Sequence, residues 1–258
     1  MRFDGSVPAL EEPKTLTRNR ARVMMDVSRY AQVGSYSGTV EVAGRRFEVT
    51  PDRWKGARDR SWGVRPVGER EPAGIGIEDI AQGKHGFYHN WIPLQLDRGM
   101  FKIMYDADYA GTPTVEEAAF APAYGEPGEI RRFGTPRIEI DYHSGTREMK
   151  HARTVLANED GENLVIESIP QRTVYLAAGT GYLPSADWGH GFYKGPNVVE
   201  GLAFDMSTQA KRSQYAILNE TLCRFELSTG EVSYGMHENM CIGVYQPHGF
   251  DEPGQMAP

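Results

Sequence analysis

The chain has 258 residues, 40% of them hydrophobic and 24% charged, with a formal net charge of −7. That length can bury a sizeable core in one large or two small domains, and the acidic balance argues against nonspecific nucleic-acid binding, which needs a basic surface. No apolar run approaches the roughly 20 residues of a membrane helix and the start, MRFDGSVPAL, lacks a secretion signal's basic-then-apolar layout, so a cytoplasmic protein without membrane insertion is expected.

Glycine and proline are scattered, as turn residues are in a many-stranded protein. ARVMMDVSRYAQVGSYSGTVEVAGRRFEVT reads as two or three strands, with VAGRRF as a tight hairpin turn. HNWIPLQLDRGMFKIMYDADYAG gives a second pair turned at Asp97-Arg98-Gly99. The best helical segment is a short turn near TVEEAAFAPAY, ended by its proline. PRIEIDYHSGTREMKHARTVLANEDGENLVIESIP alternates apolar and polar residues, with turns at Ser144-Gly145 and Asp160-Gly161. RTVYLAAG, NVVEGLAFDM and LCRFELSTGEVSYGMHENMCIGVY continue the strand pattern. Short strands at this spacing mean an all-β antiparallel barrel or sandwich. His-Gly-Phe-Tyr recurs at 85–88 and 190–193, a coincidence that such a composition allows. Cys223 and Cys241 have no metal-ligand spacing and read as buried small hydrophobes.

WKGARDRSWGVRP, from Trp54 to Pro66, sets four cations and one carboxylate around two tryptophans. As a strand it puts Arg58, Arg60, Trp62 and Val64 on one face and Asp59, Ser61, Gly63 and Arg65 on the other. Whichever face is inward buries an ion, which needs a partner. Asp59 either pins the strand through a salt bridge or lines a pocket walled by Trp62. In KHGFYHNW, His85 and His89 share a face of a strand beside Tyr88 and Trp91, with no third ligand to make a metal site. Asp187, Trp188 and His190 lie in a glycine-rich turn, where an Asp either orients an imidazole or caps turn amides. His237 and Glu238 in YGMHENMC point to opposite faces, so one at most lines a given cavity; Asp106 and Asp108 share a face that Tyr105 does not. GIGIEDIAQG lacks the strand–GxGxxG–helix context of a dinucleotide loop, and neither a nucleophile elbow nor a Walker sequence is present.

On QVGSYSGTVEVAG…WKGARDRSWG, with Asp59, Trp62 and Gly63 as an Asp-x-x-Trp-Gly signature, and on FYHNWIPLQLDRGMFKIMYD, the chain resembles the carotenoid 1,2-hydratase/AttH-like superfamily. The resemblance covers Gln32 to Asp108, and the rest by β character. It implies lipocalin-like antiparallel units in tandem, residues 1–110 and 111–258, the first starting late and leaving an open edge for another element or a partner copy to cover. Hydratase-like members carry His directly after the signature Asp, where this chain has Arg60, which stays charged near neutrality. The implied activity is cofactor-independent acid–base chemistry, of hydratase, isomerase or cyclase type, on a hydrophobic small molecule. Asp59 or Asp106 supplies a proton, Arg60 steadies an oxyanion and Tyr105 assists. Trp54, Arg58, Trp62, Tyr88, His89 and Trp91 bind the ligand, joined by Asp187 and His190. The alternatives are a noncatalytic carrier of an apolar ligand and an assembly protein whose Arg/Asp cluster ties the β units together.

Overall fold

The computed structural model describes residues 1–19, 22–65, 85–157, 163–183, 185, 187–190 and 192–258. With 57% strand and 4% helix, the fold is all-β, as the alternation predicts. The strands lie in two antiparallel sheets, one six-stranded and one nine-stranded.

In the smaller sheet, β1 (Arg2–Gly5), β2 (Leu10–Glu11) and β3 (Thr15–Asn19) each pair with the long β4 (Arg22–Val42). β5 (Arg45–Val49) and β6 (Lys55–Val64) also pair with it. The β4–β5 hairpin turns where VAGRRF predicts it, at Ala43 and Gly44, both at positive φ as a two-residue hairpin turn requires. Along β4 and β6, Arg29, Ala31 and Val33 lie opposite Ser61, Asp59 and Ala57. Ala31 and Val33 are buried against the second sheet, so Asp59 faces that sheet too.

The larger sheet curls into a half-barrel. Its order is β10 (Arg131–Arg132), β9 (Pro113–Pro122), β8 (Gly99–Asp108), β7 (Gly86–Leu96), β15 (Val232–Gly243), β14 (Asn219–Leu227), β13 (Asn163–Tyr175), β12 (Met149–Ala157) and β11 (Arg137–Tyr142). Its concave side holds the main core, with Ile92, Leu94, Phe101, Ile103, Ile166 and Phe225. Its other side meets the first sheet, where Val7, Leu10 and Val33 pack on Met100, Ala119 and Ala121. β7 and β8 are therefore buried on both faces, which explains their near-continuous apolar sequence. β11 to β13 are covered on one face and alternate.

Three expectations are corrected. TVEEAAFAPAY is not a helical turn but lies mostly in β9: Ala118 and Phe120 face the main core, Ala119 and Ala121 the other sheet, and burial on both sides overrides alanine's helix propensity. NVVEGLAFDM is irregular, in the connection from β13 to β14 that holds a short α-helix, α1 (Gln209–Ser213); Val199 and Leu202 are exposed there and gain nothing from alternation. The boundary at residue 110 falls between β8 and β9, which pair with each other, so the sheets divide the described strands between β6 and β7 instead. The Asp160-Gly161 turn and GIGIEDIAQG lie outside the described residues.

Candidate functional site

Period-two alternation on β7 sends Tyr88, Asn90 and Ile92 to the concave core and His89 and Trp91 toward the first sheet. Register then builds a polar cluster on the His89 side. Asp106 lies opposite His89 on β8, Glu238 opposite Trp91 on β15, and Glu220 opposite Glu238 on β14. His89 Nδ1 is 2.5 Å from Asp106 Oδ1, and Nε2 is 3.1 Å from Glu238 Oε1. A carboxylate at each ring nitrogen is satisfied only by the imidazolium, which has two N–H donors. Burial opposes that charge, but the hydrogen bonds His89 donates to Asp106 and Glu238 outweigh it and carry the His89 pKa to about 9.

Glu220 and Glu238 stand side by side on paired strands with their carboxyls hydrogen-bonded. Burial, then the hydrogen bond to Glu238 and the Glu238 charge, push Glu220 well above the usual carboxylate range, so it is the neutral donor of the pair near pH 7. Burial also opposes the Glu238 charge, but the hydrogen bond and charge of His89 hold its pKa below the usual value. Asp59 faces this pair from β6, its pKa raised by burial and by the charges of Glu12 and Glu238. Tyr182, from the β13–β14 connection, sits at the rim, hydrogen-bonded to Arg65 and close to Glu238 and Asp59.

Beside the cluster, the sheets are clamped by buried ions. Lys102 is fully buried against Glu117 and 3.6 Å from Glu12 Oε1, which also accepts a 2.7 Å hydrogen bond from Trp91 Nε1. Next along the groove is a cleft of about 790 Å³, lined by Ala57, Pro93, Leu222 and Met236. Leu222, Met236 and Ala57 lie two residues from Glu220, Glu238 and Asp59 on the same strands and faces. Pro93 has no N–H for a ladder bond, and the β7–β15 pairing ends at Trp91, just before it; the cleft begins there. Exposed apolar side chains, Trp54, Leu222, Val232 and Tyr234, line the cleft.

Of the sequence-predicted residues, the cluster gathers Asp59, His89, Trp91 and Asp106, and the cleft takes Trp54. Arg60 lies opposite Tyr30 on the outer face of the first sheet, away from Asp59. Arg58 shares that face, donating to Gln32 Oε1 at 2.7 Å and lying 5.4 Å from the Tyr30 ring centroid; Trp62, 54% exposed, packs on Tyr30 at 6.2 Å. Tyr88 and Tyr105 face the concave side, where Tyr88 stacks on Tyr245 at 4.3 Å. His85 precedes β7 and is exposed. Asp108 accepts two turn amides, from Ala110 and Thr112, both at 2.9 Å. Asp187 accepts from Ser185 Oγ at 2.9 Å instead of orienting His190, whose ring packs on Tyr182 at 4.5 Å. Both cysteines are buried and free.

Residues 1–251 match the model described as "Family of unknown function (DUF8625)". The chain belongs to this family. No curated protein and no solved structure matches the chain, and the hydratase family expected from the sequence is not among the matches. Among the described residues of this family member, no group of three His, Cys, Asp or Glu side chains is arranged to hold a metal ion, and no helix is long and apolar enough to cross a membrane.

Proposed function

We propose that the chain is a cofactor-independent acid–base enzyme of hydratase, isomerase or cyclase type, acting on a hydrophobic small molecule (isoprenoid, steroid-like or polyketide) seated between the two sheets. The observation that carries this reading is the side-by-side Glu220–Glu238 pair, braced by His89 and adjoining the apolar cleft. Glu220 gives its proton to a substrate carbon or oxygen. Glu238 takes one from substrate or from an attacking water. Transfer between the hydrogen-bonded carboxyls then restores both, so no cofactor enters the cycle. Asp59 is the second donor, from the opposite sheet.

The test starts with organic extraction and mass spectrometry of the protein purified from its own host, to name the apolar molecule for turnover assays. Glu220→Gln and Glu238→Gln are each expected to lower turnover about 10²- to 10⁴-fold while leaving binding intact. Turnover unchanged in both variants overturns the assignment. The exposed apolar rim of the cleft favours a second reading, a carrier; a bound molecule recovered unaltered, with no product from wild type, selects it.

A further inference from the structure

Each strand that brings an acid or base to the cluster from β7, β14 or β15 places an asparagine beside it: Asn90 after His89, Asn219 before Glu220, Asn239 after Glu238. Alternation turns these amides to the concave side. Register sets them in one row, Asn219 opposite Asn239 and Asn239 opposite Asn90, directly behind the cluster. All are buried, and Asn219 Oδ1, Asn239 Oδ1 and Asn90 Nδ2 each lack a hydrogen-bond partner. Each such atom costs about 1–3 kcal/mol, whereas apolar residues such as Ile92 and Leu94 serve the same face without that cost.

The bonds the row does make meet at Asn90 Oδ1 and reach the His89 backbone through Asn239. Asn239 Nδ2 donates to the His89 carbonyl at 3.3 Å and to Asn90 Oδ1 at 3.1 Å. His237 Nε2 donates to the same Asn90 oxygen at 3.1 Å, and Ser168 Oγ donates to His237 Nδ1 at 3.1 Å. We infer that Asn239 is a positioning residue, locking the β7–β15 register from behind so that His89 stands between Asp106 and Glu238; the inference rests on the site proposed above. A slip by one residue turns His89 and Glu238 into the core, and an apolar row offers no directional bond against it.

The experiment follows the His89 ring by NMR from about pH 5 to about pH 10, with thermal melting of the same samples. In wild type the ring is expected to titrate at about 9. Asn239→Leu is expected to move it down by about one unit, a tenfold loss in proton affinity, with melting unchanged or higher. Asn239→Ala gives the same readout should leucine overpack the row. Asn239→Ser keeps a donor and is expected to titrate near wild type. Asn219→Leu is expected to raise the melting temperature without moving His89. His89 titrating as in wild type when the donor is removed, or Asn239→Ser behaving as Asn239→Leu does, overturns the inference. The readout needs no substrate, so loss of the catalytic reading, through turnover unaffected in both Glu220→Gln and Glu238→Gln, remains a separate result.

Discussion

His89 and His237 lie on opposite faces of one sheet and carry opposite charge states. Flanking carboxylates keep His89 charged, whereas burial, helped by the charge on His89, lowers the His237 pKa to about 3. The unfolded chain takes up a proton near pH 6.5 that folded His237 refuses, so this residue's effect is absent above about pH 6.5 and destabilises progressively as pH falls toward 3. The full cost is on the order of 5 kcal/mol. His237→Gln is expected to lower the urea midpoint at pH 7 modestly and to flatten its fall between about pH 7 and about pH 4, measured by fluorescence. An acid limb as steep as that of wild type counts against the assignment. His89 has the opposite sign: its stabilisation is complete below about pH 6.5 and is lost as pH rises through 9.

At the level of strands, the two sheets are joined by apolar contacts and by the Lys102, Glu117 and Glu12 cluster. Lys102→Met removes the buried cation between Glu117 and Glu12, leaving them Arg132 at 3.3 Å and Arg29 at 3.9 Å as counter-ions, and is expected to cost about 3 kcal/mol in urea unfolding. Adding Glu117→Leu should recover much of that loss; an additive double variant would rule out the pairing. The strands were largely legible because alternation and turn residues are local signals, as the hairpins at VAGRRF and Asp97-Arg98-Gly99 show. The first rule also separated Asp59 from Arg60 and Glu238 from His237. It was silent on which face met which sheet, so Arg60 and Trp62 were expected at a pocket they face away from. Glu220 was missed altogether. In NETLCRFEL it looks like any polar residue on a solvated face, and only the register with Glu238 and the covering first sheet gives it a role. The cue in that stretch was Leu222, an apolar residue on the otherwise polar face.

Over the whole molecule, the two halves of the nine-stranded sheet are joined where β7 meets β15, and the residues that bond across this seam lie far apart in the sequence, His89 and Glu238 by 149 positions. The pairs β7–β8 and β14–β15, by contrast, are neighbours in sequence. Chain entropy favours forming local hairpins first and closing a long loop late. Since His89 stands on one bank of that seam and Glu220 and Glu238 on the other, a half-folded chain carries both hairpins but leaves the acid–base pair without the imidazolium that braces it. In stopped-flow refolding, far-ultraviolet circular dichroism is expected to recover before Trp91 fluorescence, with ligand binding or turnover returning in the later phase. Coincident phases would show that the seam forms with the hairpins. Residence in that intermediate also leaves the β7 and β15 edges unpaired, so the slow step that completes the site is also the interval in which the chain is most exposed to pairing with a neighbour.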